Sequence, residues 1–296
     1  MRDRLQGIFP PIPTTFDSTS GDVNERAISA NVRRWMDTGL AGVLTLGSNG
    51  EAGSLDEDES DRVVAAVRAE MPRNRTLLVG TGRESTRATI RATTRAAALG
   101  ADAVLVRTPS YFKAQMTTDA LVTHFRAVAD ASPIPILLYN LPGVTGITLT
   151  VPIVAALAEH ANIVGMKETS PELERLGQCV QLVNGRFAVL SGWAPVAYPA
   201  LVSGAAGAIL AVANVLPAEC VSLLELTRAG RHAEAIALQR RLTPIAQLVS
   251  SVHGVAGLKL ALELRGFHGG PVRGPLLPPS SEARAVIAQA LSQFDR

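Results

Sequence analysis

Eight short runs rich in Val, Ile and Leu, each followed by a turn and then a segment of helical period, constrain this chain more than any other feature of its sequence. In order they are residues 8–10, 42–46, 77–80, 103–107, 134–139, 163–167, 187–191 and 207–210. The segments between and after them, 24–38, 56–71, 86–99, 117–131, 151–159, 171–182, 193–202 and 217–229, read as helices, and Asp56 ahead of Glu59 and Ser85 ahead of a long amphipathic run are helix-start signals. Strands that are apolar at every position, and not at every second one, must be covered on both faces, which a parallel sheet wrapped by its own crossover helices provides. Eight such units predict an α/β fold closed as a (β/α)8 TIM barrel over residues 1–229. Beyond it, segments 231–249, 255–265 and 281–294 have no strands between them, so residues 230–296 are expected to form a C-terminal helical appendage. The competing architecture is a doubly wound open sheet, suggested by Gly80-Thr-Gly-Arg-Glu-Ser85 after the third run. An ordinary strand-to-helix turn needs the same small residues, and the last position is not glycine.

Composition limits the classes of function. With 296 residues, 47% hydrophobic and 18% charged, the chain can bury a large core, and a net charge of +2 predicts no field that would favour nucleic acid. Arg87, Arg91 and Arg95 recur along one helix face, where a solvated or subunit-facing stripe is expected before a phosphate track. Cys179 and Cys220 have neither metal-ligand nor disulfide spacing and read as small buried hydrophobes. No charged residue occurs between Arg186 and Glu219, but Gly192, Pro195, Pro199, Gly204 and Gly207 break the stretch into pieces too short to span a membrane. The first ten residues carry no apolar signal segment, so the expected location is the cytoplasm.

In a barrel of this kind chemistry sits where the strands end, so the residues just after each run matter most. Lysine is rare here: of 28 basic residues only Lys113, Lys167 and Lys259 are lysines, and Lys167 ends the sixth run. Burial lowers a lysine's pKa and turns an inert cation into an amine nucleophile; the alternative is a strand-end lysine paired with a carboxylate. The second run leads into Gly47-Ser-Asn-Gly-Glu51, a turn that either presents backbone N–H groups to a carboxylate or simply connects strand to helix. The fourth leads into Thr108-Pro-Ser-Tyr-Phe112 and the fifth ends in Tyr139-Asn-Leu-Pro142. Tyr111 and Tyr139 are therefore expected at the same rim as Lys167, where a phenol could move protons while the amine attacks a ketone. The histidines His124, His160, His253 and His268 show no ligand spacing, and no metal is implied.

The set Gly47-Ser-Asn-Gly-Glu51, Tyr139-Asn-Leu-Pro142 and Gly165-Met-Lys-Glu168 resembles the dihydrodipicolinate synthase and N-acetylneuraminate lyase family, pyruvate-handling class I aldolases on a (β/α)8 barrel with C-terminal helices. The likeness covers essentially the whole chain. The Ser-Asn form of the glycine turn, Asn162-Ile-Val-Gly-Met-Lys167, Gly254-Val-Ala-Gly-Leu-Lys259 and His268-Gly-Gly-Pro-Val-Arg273 look like its 4-hydroxy-2-oxoglutarate aldolase branch. The resemblance implies Lys167 as Schiff-base lysine and Tyr139 as proton shuttle. It further implies Ser48 linking Tyr139 to Tyr111 in a hydroxyl relay, with Tyr111 serving a neighbouring subunit. Ser48 and Asn49 would hold the carboxylate of the pyruvate half, and Gly192 and Ile209 would line the pocket. It implies a carbon–carbon lyase without cofactor, acting on a small 2-oxo acid as a homotetramer built from dimers. One position departs: where dihydrodipicolinate synthases carry an arginine that grips the second substrate's carboxylate, this chain has Val144. The alternatives are a dihydrodipicolinate synthase, a 2-keto-3-deoxy sugar acid aldolase, or a silent homologue that binds a 2-oxo acid as a regulator.

Overall fold

The apolar runs form eight strands: β1 (Gly7–Phe9), β2 (Gly42–Thr45), β3 (Thr76–Gly80), β4 (Ala103–Arg107), β5 (Ile136–Asn140), β6 (Ile163–Glu168), β7 (Ala188–Ser191) and β8 (Gly207–Ile209). They belong to a computed structural model that describes residues 1–182 and 187–295. All pairings are parallel, in the order β1-β8-β7-β6-β5-β4-β3-β2. The ends meet: the Ala41 amide donates to the Ile8 carbonyl at 3.1 Å and the Leu44 amide to the Pro10 carbonyl at 2.9 Å, so the sheet closes as a (β/α)8 barrel and the open-sheet alternative falls.

Helices α1 (Glu25–Met36), α2 (Glu57–Glu70), α3 (Thr86–Ala98), α4 (Thr118–Ala131), α5 (Pro142–Thr145), α6 (Val151–Ala158), α7 (Leu173–Gln181), α8 (Ala197–Val202) and α9 (Pro217–Arg228) follow the strands in turn. Each longer helix buries one stripe, as α1 does with Ile28, Asn31, Val32 and Trp35, and the hydrophobic effect stabilises each fully buried Leu, Ile or Val by roughly 2 kcal/mol. The start signals act as expected: Asp56 and Glu59 form a reciprocal capping box and Ser85 accepts from the Ala88 amide. The arginine stripe turns to its neighbour, Arg91 pairing with Glu57, and Arg95 with Glu57, Asp58 and Asp61 of α2. Cys179 and Cys220 are free and buried, and burial raises both thiol pKa values, that of Cys179 to about 11.

Boundaries differ where side chains compete with the ladder. β5 begins two residues later than its apolar run because Pro135 has no N–H to give and the Asn162 side-chain amide holds the Ala129 carbonyl at the end of α4 and the Ser132 and Ile134 carbonyls in the loop after it. The one-turn helix α5, which carries Val144, leaves too short a period to be read in sequence.

C-terminal to the barrel lie α10 (His232–Gln247), α11 (Gly254–Leu264) and α12 (Ser281–Ser292), with no further strand among the described residues. α11 sends Lys259 inward to the glycine turn after β2. Its ammonium lies 2.5 Å from a Glu51 carboxylate oxygen and donates to the Pro271 carbonyl at 2.6 Å, the two charged side chains being 2% and 1% exposed. Burial lowers the Lys259 pKa although Glu51 opposes it. The other Glu51 oxygen accepts from the Arg273 amide at 2.8 Å, and the Arg273 guanidinium grips Glu59 of α2 at 2.7 and 2.8 Å.

Two outcomes are expected. Between α3 and α4, His124 accepts or donates one hydrogen bond with Thr86 at 2.9 Å, and burial, only partly offset by Glu84, lowers its pKa from 6.5 to about 4. The folded state holds it neutral while the unfolded chain protonates, so stability is full above pH 6.5, falls as pH drops, and levels off below about 4, by on the order of 3 kcal/mol. Urea titrations across that range should show the slope, and His124→Gln should flatten it. Lys259→Met alone should cost about 3–5 kcal/mol by stranding Glu51, while Lys259→Met with Glu51→Gln should recover most of that loss in the same titrations.

Candidate active site

The pairing of β5 with β6 sets Tyr139 opposite Lys167 and Asn140 opposite Glu168. Successive side chains of a strand leave on opposite faces, so one pair faces into the barrel and the other outward. Lys167 is 5% exposed, and its ammonium donates to the Tyr139 hydroxyl at 3.3 Å and lies 4.5 Å from the ring centre. Outside, both Glu168 oxygens accept from the Asn140 side-chain nitrogen, at 2.7 and 3.0 Å, and Glu168 also accepts from Arg175 at 2.8 Å and from the Ser170 amide at 2.8 Å. The carboxylate adjacent in sequence is therefore paired with Arg175, and among the described residues no carboxylate lies within ion-pair distance of Lys167. The salt-bridge alternative for this lysine has no partner.

Gly192 follows β7 directly beneath the lysine stem: a Cβ there would lie 2.8 Å from Lys167 Cε and 2.4 Å from Thr169 Cγ2. Ile209, fully buried at the end of β8, shares the interior cluster with Tyr139, Leu105, Leu137 and Leu190.

The turn after β2 is strained at both ends. Leu46 and Glu51 have φ of 53° and 52°, a region that costs non-glycine residues of order 1–3 kcal/mol each. Within the turn the Gly50 amide donates to Gly47 and the Glu51 amide to Ser48, while the Ser48 and Asn49 amides have no intramolecular acceptor among the described residues. Two adjacent free N–H groups can receive a carboxylate. Ser48 is exposed at the lip of a cavity of about 540 Å³ that Tyr139 also lines; Asn49 is half-buried and lies off that wall. Lys167 is not itself part of the wall and reaches it past the Tyr139 hydroxyl.

Tyr111 is not brought to this group. It is 79% exposed, its ring edge-on to Phe112, and no hydrogen bond joins Ser48 to either tyrosine among the described residues. Val144, 72% exposed, closes one side of the cavity mouth without a charge.

Two arginines line the same cavity. Arg107, at the end of β4, pairs with Glu84 at 2.8 Å and donates to the Thr108 carbonyl at 3.0 Å. Burial alone would raise the Glu84 pKa, but the Ser110 and Tyr111 amides and the Arg107 guanidinium hold it below the usual carboxylate range. Arg83, in the turn after β3, has a single acceptor among the described residues, the Gly82 carbonyl at 3.2 Å, and burial followed by repulsion from Arg107 lowers its pKa. Arg83 and Lys259 are the site-forming residues that sequence reasoning missed. A charged residue in the turn after a strand was the available signal for Arg83; for Lys259 it was the scarcity of lysine itself.

Comparison with known proteins agrees with this geometry. Residues 4–294 match the Dihydrodipicolinate synthetase family. The chain is 36% identical over 301 residues to a probable mitochondrial 4-hydroxy-2-oxoglutarate aldolase of Emericella nidulans, covering 99% of this chain and 96% of that one. It is also 36% identical to the 4-hydroxy-tetrahydrodipicolinate synthase of Methanothrix thermoacetophila, over 98% and 97% of the two chains. Among solved structures, a prophage protein of the dihydrodipicolinic acid synthase family from E. coli K12, in complex with pyruvate, superposes with a TM-score of 0.91 at 30% identity over 98% of each chain. An inward lysine beside a phenol on such a barrel, with this match along nearly its whole length, makes the chain a member of the dihydrodipicolinate synthetase family and a lyase of the kind that family comprises.

Proposed function

We propose that this enzyme is a class I aldolase that cleaves 4-hydroxy-2-oxoglutarate to pyruvate and glyoxylate through a Schiff base on Lys167. The observation that carries the reading is the inward ammonium of Lys167, without a carboxylate partner among the described residues and 3.3 Å from the Tyr139 hydroxyl. In its neutral form the amine adds to the C2 keto carbon and water leaves, giving an iminium that serves as electron sink. Tyr139 takes the proton of the C4 hydroxyl, the C3–C4 bond breaks, glyoxylate departs, and the bonding pair enters the iminium as an enamine. Protonation at C3 and hydrolysis return pyruvate and the free lysine. The free Ser48 and Asn49 amides suit the C1 carboxylate, and Ile209 and Gly192 leave room around the lysine.

A second reading is dihydrodipicolinate synthesis on the same intermediate, favoured by a synthase relative at the same identity as the aldolase relative. The uncharged Val144 at the cavity mouth weighs toward cleavage. The exposure of Tyr111 and Phe112 supports a homotetramer in which Tyr111 completes a neighbouring subunit's relay through Ser48.

Borohydride reduction with pyruvate should give a stable adduct at Lys167 by peptide mass analysis, lost in Lys167→Ala; no adduct there would refute the mechanism. Turnover of 4-hydroxy-2-oxoglutarate, compared with condensation of pyruvate and an amino-aldehyde acid, separates the two readings. Gly192→Ala should displace the lysine stem and lower kcat/KM by about 100-fold, with circular dichroism unchanged.

A further inference from the structure

A 4-hydroxy-2-oxo dicarboxylate brings two negative charges into the cavity. If the C1 carboxylate takes the free amides of the glycine turn, the C5 carboxylate still needs a partner, since burying an unpaired carboxylate is costly. The wall offers few. Val144, Leu141 and Leu276 are apolar, and Glu51 is itself an anion already held by Lys259. Of the two arginines, Arg107 is bound to Glu84 and to the Thr108 carbonyl.

Arg83 is different. Its only acceptor among the described residues is a neighbouring backbone carbonyl, at 3.2 Å, which leaves most of its five donors unused. The carboxylates around it are taken: Glu57 by Arg91 and Arg95, Glu84 by Arg107 and the Ser110 and Tyr111 amides. Its position is fixed by backbone and not by charge. The Arg83 amide donates to the Thr89 hydroxyl at 3.0 Å, and that hydroxyl returns a bond to the Arg83 carbonyl at 3.3 Å, pinning the turn to α3. A fixed, partly desolvated guanidinium without an anion, on the wall of a cavity whose substrate is a dianion, lacks only a carboxylate.

We infer that Arg83 is the substrate-binding residue for the distal carboxylate and sets the preference for dicarboxylic over monocarboxylic 2-oxo acids. This inference rests on the reading of the cavity as a Schiff-base site for 2-oxo acids. Arg107, held by Glu84, keeps a second positive charge nearby without being free to make the bidentate contact.

The test uses 2-oxoglutarate and 2-oxopentanoate, acids of equal chain length that differ in the distal carboxylate and cannot be cleaved. The concentration giving half-maximal borohydride trapping at Lys167 is measured for each with the full-length enzyme. The wild type should favour 2-oxoglutarate. Arg83→Leu should raise the 2-oxoglutarate value on the order of 10- to 100-fold, the worth of a charge-assisted hydrogen bond, and shift the 2-oxopentanoate value less than about 3-fold. Arg83→Lys should restore part of the difference. Equal shifts for both acids, no shift, or a selective loss in Arg107→Leu instead would overturn the assignment. If pyruvate itself gives no Lys167 adduct, the Schiff-base reading fails, and calorimetric binding of the same two acids decides the role of Arg83 by the same ratio.

Discussion

In an extended strand neighbouring side chains leave on opposite faces, and closing eight parallel strands turns those faces into an inside and an outside. Lys167 and Glu168 are consecutive residues, yet this parity separates them completely. The glutamate is drawn outward into a set of bonds with Asn140, Arg175 and Ser170, and the lysine is left inside with a phenol for company. A slip of one residue between β5 and β6 would exchange them. The Asn140 and Glu168 contact holds that register: Asn140 accepts from the Leu149 amide while donating to Glu168, tying β5, β6 and the segment ahead of α6 together. The outer network thus fixes which charge faces the cavity.

The glycine turn depends on a second arrangement, made from the far end of the chain. A turn that keeps Leu46 and Glu51 at positive φ is not locally comfortable, and it is held from outside itself. Glu51 is instead clamped by Lys259 from α11 and by the Arg273 amide, while Arg273 also takes the capping glutamate of α2. The C-terminal helices therefore reach the site through one buried charge pair, which stabilises less than its short distance suggests but is severely destabilising when half of it is removed.

The barrel was legible because its strands are apolar throughout, so each run announced itself without reference to any partner, and Lys167 was legible because lysine is scarce and stands at a strand end. Position along the chain, however, does not give direction. Tyr111 and Tyr139 both stand near strand ends, but Tyr139 is the last inward residue of β5 whereas Tyr111 lies four residues past β4, beyond the reach of the pleat, and turns to the surface. Arg83 was hidden among glycines that read as an ordinary turn, and nothing in sequence tells which of two arginines will find a carboxylate. Lys259 was hidden by its helix, where a lysine is usually solvated; its burial is decided by Glu51, more than two hundred residues away.

Gly192 leaves the lysine stem no clearance: the space at the end of β7 is occupied by Lys167 itself. A strand end of this barrel that elsewhere could carry a side chain into the cavity is in this chain reserved for the lysine's own volume. Room for a different side chain on the cavity wall lies on the opposite side, at the end of β4 and in the turns after β3 and β5, where Arg107, Arg83 and Val144 stand. Redesign of the cavity has its freedom there, across the mouth, and not beside the lysine nitrogen.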